Sequence, residues 1–204
     1  KSLGQNFLID KNIIHKILSS FNIENKHIVE IGPGTGNLTK EILKKNPSHI
    51  LLVEKDNHLA TSLLKELEKI PIKIDLQNDD ILKYDLESVL KSQTIIFGNL
   101  PYNISSQILV KFIKFKKWPP RYENLVLMFQ KEVGEKIVSN VNTLNYGRLG
   151  ILTKSRLEIV DHFDISKNCF FPKPKVESKL IIFKPKINIC HKIKNINNLE
   201  KITQ

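Results

Sequence analysis

Short apolar runs recur along this chain at 27–31, 49–53, 72–76 and 94–98, with helical spacing of apolar residues between them at 37–45, 57–69 and 104–115. Runs this short and this rich in apolar residues read as strands of a buried sheet. Strands that alternate with helices imply a parallel sheet covered on both sides. Leu125-Val126-Leu127-Met128-Phe129 is a fifth such run, followed by a helix from Lys131 to Val138, a further helical stretch at 149–153 and two late strands at 157–163 and 178–183. Near the start, Asp10 is placed to cap a helix that carries Ile13, Ile14, Ile17, Leu18 and Phe21 at helical spacing. The predicted class is α/β, and 204 residues suit one full domain with a sizeable core and a small appendage.

In an open parallel sheet, ligands gather at the carboxyl ends of the strands. Four successive strand ends here carry chemistry. The first run passes into Glu30-Ile31-Gly32-Pro33-Gly34-Thr35-Gly36 and then a helix. Glycines in such a turn admit unusual φ and close approach of a ligand to the backbone, with helix N-terminal amides facing it. The spacing is G-x-G-x-G, which differs from the dinucleotide fingerprint, and no Lys-Ser/Thr follows as in a phosphate-binding loop. The second run ends at Glu54, a carboxylate able to accept from both hydroxyls of a ribose, or else a solvated loop acid. After the third comes Asn78-Asp79-Asp80, where Asp80, or its neighbour Asp79, could accept from an adenine amine. The fourth run, Thr94-Ile95-Ile96-Phe97-Gly98, leads into Asn99-Leu100-Pro101-Tyr102. An amide oxygen and a backbone carbonyl there can accept the two hydrogens of an adenine amine, proline fixes φ, and an aromatic ring can stack on the base. Read alone, the tetrapeptide is equally an ordinary Asn-Pro turn with a core tyrosine.

Net charge is +11, which favours an anionic partner such as RNA, although lysine is abundant throughout. Residues 111–122 interleave basic and aromatic side chains, a pattern that serves either phosphate and base contact or a helix packed on the sheet with its lysines solvated. A second lysine-rich stretch runs from Lys173 to Lys201. Cys169 and Cys190 show no metal spacing and fit a reducing compartment. No metal site, signal-peptide core or membrane-spanning run is evident, and a cytoplasmic location is expected. Because the first residue is lysine, a trimmed start is expected.

Leu3-Gly4-Gln5-Asn6-Phe7-Leu8, the glycine turn, Asn99-Leu100-Pro101-Tyr102-Asn103-Ile104-Ser105 and Phe171-Pro172-Lys173-Pro174-Lys175-Val176-Glu177-Ser178 together resemble the KsgA (RsmA) family of S-adenosylmethionine-dependent adenine dimethyltransferases of small-subunit (16S) ribosomal RNA. The resemblance runs from Leu3 to about Phe183. It implies a Rossmann-like methyltransferase fold, a mostly parallel seven-stranded sheet with helices on both faces and an antiparallel finish. By the same resemblance, residues 1–185 form the methyltransferase domain, and 186–204 are a linker into a helical C-terminal domain that is largely absent.

The resemblance also implies roles at matching positions. Asn6 and Leu8 would cover the cofactor, Gly32 would lie against its methionine part, Glu54 would bind the ribose and Asp80 the adenine amine. Asn99 would stand between cofactor and target base, the Leu100 carbonyl would accept from the target amine, Pro101 would shape the turn and Tyr102 would stack on the adenine. Phe171 would flank the flipped base from the other side, although its neighbour Phe170 competes for that place. No catalytic base is needed, because the sulfonium is already an activated methyl donor. The implied partner is small-subunit RNA in an assembling 30S particle, with the enzyme a monomer. Large-subunit resistance methyltransferases and non-catalytic transcription or assembly factors share the layout. A DNA adenine methyltransferase is disfavoured by leucine at position 100, and a dinucleotide oxidoreductase by the glycine spacing.

Overall fold

The structure, a computed structural model, describes residues 5–188 together with 196, 198 and 199. Leu3, Gly4, Cys190 and most of the 186–204 stretch therefore lie outside the described residues. Nine strands and seven α-helices occur among the described residues. In chain order they are β1 (Phe7–Leu8), α1 (Lys11–Ser19), β2 (His27–Ile31), α2 (Asn37–Leu43), β3 (His49–Glu54), α3 (Asn57–Leu67), β4 (Lys73–Asn78) and α4 (Leu86–Val89). Then follow β5 (Thr94–Gly98), α5 (Tyr102–Ile113), β6 (Tyr122–Gln130), α6 (Lys131–Val138), α7 (Arg148–Arg156), β7 (Leu157–Ile165), β8 (Phe170–Phe171) and β9 (Ser178–Pro185).

Seven strands form one sheet in the order β4-β3-β2-β5-β6-β9-β7, parallel from β4 to β6 and antiparallel where β9 pairs with β6 and β7. This is the sheet that the alternation of strands and helices and the family resemblance together lead one to expect. Its register aligns the functional ends. Ile31 sits opposite Val53 and Gly98, and Glu54 opposite Asn78, so the segments after β2, β3, β4 and β5 leave one edge together. Strand order reverses between β2 and β5, which opens the crevice where such sheets bind ligands.

Alternation along each strand supplies two cores. Val29 and Ile31 join Leu51, Val53, Ile96, Phe112 and Phe129 on one face, whereas Ile28, Ile50, Leu52, Phe97 and Leu180 pack on the other with α1 and α2. Each fully buried side chain of this size contributes about 1.5–3 kcal/mol. Asp10 caps α1 as expected, its carboxylate accepting from the Asn12 and Ile13 amides at 2.8 and 3.2 Å.

Two features differ from the sequence reading, and a third decides between alternatives that it left open. Helix α5 starts at Tyr102 rather than 104, which places Pro101 at its cap. A second, two-stranded sheet joins β1 to β8, with Phe7 opposite Phe171 and Leu8 opposite Phe170. In the 111–122 stretch, Phe112, Phe115 and Tyr122 are core residues, and both phenylalanines meet Tyr122 edge to face. There too, Lys111 Nζ donates to the Ile81 and Tyr84 carbonyls at 2.6 and 2.5 Å, and Trp118 Nε1 donates to the Lys186 carbonyl at 2.8 Å. The packing reading of that stretch is the one realised, because three of its aromatics face inward. Lys186 is tied to the domain through its amide, which donates to the Arg156 carbonyl at 2.8 Å, and Ile196 is buried in the first core.

Candidate active site

A cavity opens at the shared carboxyl edge of the sheet. It is lined by Asn6 and Phe7 from the N-terminal segment, Gly32 after β2, Glu54 and Lys55 after β3, Asp79 to Ile81 after β4, and Asn99 to Pro101 after β5. Ile104 and Ile108, one turn apart on the same face of α5, complete an apolar wall. The fold thus gathers Asn6, Gly32, Glu54, Asp80, Asn99, Leu100 and Pro101 around one space.

The glycine turn explains its own composition. Gly32 has φ +67 and a Cβ there would lie 3.5 Å from the Asn99 carbonyl oxygen, so the turn and the Asn99 loop approach backbone to backbone. Gly34 has φ +57, and the Phe7 ring occupies the place where its Cβ would be, 2.5 Å from the ring edge. Glu54 braces this turn from β3. It is 2% exposed, and its two carboxylate oxygens accept from the Gly34 amide at 3.0 Å and the Asp56 amide at 2.9 Å. Burial pushes its carboxyl up, and those two N–H donors pull against that shift.

Asp80 turns one carboxylate oxygen to the Lys55 ammonium at 2.9 Å and the other to the Leu82 amide at 2.9 Å. The Lys55 contact, then the Leu82 N–H, hold its carboxyl below the ordinary carboxylate range. Asp79 lines the cavity beside it, and its carboxylate accepts from the Asp80 amide at 2.6 Å. Lys55 is a site residue that sequence reasoning missed, although it is the immediate neighbour of Glu54.

At the end of β5, Asn99 Nδ2 donates to the Asn6 backbone carbonyl at 3.0 Å. With the amide nitrogen committed to the N-terminal segment, Oδ1 is the atom turned away from it, available as an acceptor. Leu100 is buried. Tyr102, the first residue of α5, is outside the cavity lining, and its hydroxyl lies 2.6 Å from Ser178 Oγ at the start of β9.

The remaining site residues divide by register. Residues directly opposite in an antiparallel pair share a face. Leu8 and Phe170 are both buried in the second core, at 3% exposure each, whereas Phe171 is 67% exposed. Leu8 therefore does not line the main cavity with its side chain, and its carbonyl instead accepts from Asn37 Nδ2 at 2.9 Å. Of the two adjacent phenylalanines, Phe171 is the one left free to meet a ligand.

Glu30, at the head of the glycine motif, was assigned no part by the sequence. It is fully buried, accepts from the Thr39 hydroxyl at 2.7 Å and lines a small cavity with Phe7, Leu8, Gly32 and Asn99. Desolvation raises its pKa to about 8. Between about 4.5 and 8 the folded protein keeps a proton that the unfolded chain has released, so Glu30 makes stability fall as pH rises through that window. Glu30→Gln should remove this slope. The variant is expected to melt close to the parent at pH 5 and above it at pH 9, by an amount on the order of a few kcal/mol in unfolding free energy. Thermal unfolding at both pH values measures it, and parallel melting of the two proteins at both would contradict a buried neutral acid.

Comparison with known proteins places this site in a family. The model of the family "Ribosomal RNA adenine dimethylase" matches residues 1–204. "Ribosomal RNA small subunit methyltransferase A" of Pelagibacter ubique (strain HTCC1062) is 50% identical over 204 residues, which is 100% of this chain and 76% of that protein. The crystal structure of a dimethyladenosine transferase from Plasmodium falciparum superimposes with a TM-score of 0.77 at 29% identity, covering 88% of this chain and 63% of that one. The 23S rRNA methyltransferase ErmE superimposes with a TM-score of 0.75 at 25% identity, covering 97% of this chain and 77% of that one. Matched by that family's model over residues 1–204 and half identical to a curated relative over those same residues, the chain belongs to the ribosomal RNA adenine dimethylase family.

Proposed function

We propose that the chain transfers methyl groups from S-adenosylmethionine to the N6 amine of two adjacent adenines near the 3′ end of small-subunit ribosomal RNA, giving N6,N6-dimethyladenosine. It does so as a monomer in the cytoplasm, on an assembling small-subunit particle, with residues 1–185 as the catalytic unit. The observation that carries this reading is the Asn99 amide, whose nitrogen is held by the Asn6 carbonyl so that its oxygen faces the other way.

The donor set of the cavity suits the cofactor. A buried carboxylate at Glu54 is an acceptor for vicinal hydroxyls, and the acids Asp79 and Asp80 are acceptors for an amine, beside the apolar Ile81, Ile104 and Ile108. Carboxylates outnumber the single lysine of the lining, which suits a cationic ligand. When bound, S-adenosylmethionine supplies an electrophilic methyl on its sulfonium.

The protein's share is positioning and orientation. Asn99 Oδ1 and the Leu100 carbonyl accept the two hydrogens of the target amine. This draws its nitrogen from the planar, delocalised form toward sp3 geometry and frees the lone pair for in-line attack. Tyr102 stacks on the extruded base and exposed Phe171 flanks it. The amine proton leaves to solvent after transfer, so no side-chain base is required.

Labelled methyl transfer from S-adenosylmethionine to small subunits lacking the modification, with large subunits and DNA in parallel, tests this. Label is expected as dimethyladenosine in the small subunit alone. Label in the large subunit would move the assignment to that RNA. Cofactor binding without transfer to any substrate would mark a nucleic-acid-binding assembly protein.

A further inference from the structure

Tyr102 and Ser178 lie 76 residues apart in sequence, yet their hydroxyls are 2.6 Å apart. The environments on the two sides are unequal. Tyr102 is half-buried at the N-terminus of α5, whereas Ser178 is wholly buried at the start of β9. Strand β9 is the middle of three, and Ser178 is paired on one side with Gln130 of β6 and on the other with Ile165 of β7. The loop before it is fastened as well: the Lys131 amide donates to the Glu177 carbonyl at 3.0 Å and the Lys167 amide to Glu177 Oε2 at 2.7 Å. Ser178 is therefore held within the sheet, and its hydroxyl gives the Tyr102 side chain a fixed partner.

We propose that Ser178 is a positioning residue for the target base, its hydroxyl fixing the position and axis of the Tyr102 ring; this rests on the reading that Tyr102 stacks on the adenine. A tyrosine side chain has two torsions. With Cα set by the cap of α5 and the hydroxyl set by β9, the first torsion, and with it the position and axis of the ring, is set before RNA arrives, whereas the second only turns the ring about that axis. Stacking depends on where the ring lies and not only on its presence, so an unanchored ring of the same size holds the base less often in line. The stretch from Phe171 to Ser178 then does two jobs. It presents one exposed aromatic, and seven residues later it anchors the other.

The test is a double-mutant cycle on small subunits lacking the modification, with Tyr102→Phe, Ser178→Ala, the pair together, and Tyr102→Ala as a control for stacking. Each hydroxyl deletion is expected to lower kcat/KM for subunits by about tenfold, the pair by no more than either alone, with cofactor affinity unchanged. Tyr102→Ala should cost more than either. If Tyr102→Ala is damaging while Tyr102→Phe and Ser178→Ala stay within about twofold of the parent, the anchoring is overturned and stacking survives. If Tyr102→Ala is itself harmless, stacking fails and takes the anchoring with it. Additive losses in the pair, or losses that appear equally in cofactor affinity and follow the melting temperature, would assign Ser178 to the fold alone. Should Ser178→Ala not fold, the contrast between Tyr102→Phe and Tyr102→Ala decides the matter, because removing one hydroxyl from a half-buried ring leaves the packing intact.

Discussion

Asn99→Ala is expected to lower methyl transfer by roughly 10²- to 10³-fold while leaving the dissociation constant for S-adenosylmethionine within about twofold. In the proposed mechanism the side chain removed is an acceptor for the reacting amine, and the loss of one such preorganised group typically costs this much. Alanine leaves the backbone of the turn, and Gly32, Glu54 and Asp80, the residues proposed to hold the cofactor, are untouched. Asn99→Asp separates the two functions of the amide. It keeps an acceptor but has no N–H to give the Asn6 carbonyl, so the carboxylate is repelled from the position that Nδ2 occupies at 3.0 Å. Its activity should fall between alanine and the parent. Single-turnover rates with saturating subunits, beside calorimetric titration of the cofactor, separate these effects. An alanine variant with near-parent turnover would remove Asn99 from the chemistry.

The second large effect is expected at Glu54, on binding rather than on rate. Glu54→Ala should weaken S-adenosylmethionine by roughly 100-fold or more, because it takes away the hydroxyl acceptor and also orphans the Gly34 and Asp56 amides that the carboxylate now satisfies at 3.0 and 2.9 Å. Glutamine is no remedy. It would turn an NH2 group toward one of two backbone N–H donors, so Glu54→Gln should also bind poorly although its shape is preserved. Calorimetry on folded variants, with melting temperatures recorded alongside, reads this directly. An alanine variant with parental affinity would show that Glu54 serves the turn and not the ligand.

The sequence was most legible where period and punctuation coincide. The runs ending at Ile31, Glu54 and Gly98 are mostly apolar and stop at glycine, acid or asparagine, so strand and strand end were both visible. Other features depend on neighbours distant in sequence. β1 and β8 have two residues each, too few to show any period. The choice between Phe170 and Phe171 follows from the pairing of Leu8 with Phe170, a register that neither segment encodes alone. The aromatics of 111–122 look alike for stacking and for packing, and only the position of α5 against the sheet turns Phe112 and Phe115 inward. Glu30 reads as a polar residue in a buried strand, and its partner, the Thr39 hydroxyl, comes from the next helix.

The pairing of Phe7 with Phe171 has a consequence for the chain while it is being made. Ribosomes release the N-terminus first, but β1 has no strand to join until residues 170–171 follow, and Tyr102 has no hydroxyl partner until residue 178 does. The segment that orients Asn99 is therefore synthesised well before the strand it pairs with. Closure between ends so far apart is slow compared with the local pairing of β2 and β3. The growing chain can assemble most of its parallel sheet while the edge that carries Asn99 stays open until residues 170–178 have emerged.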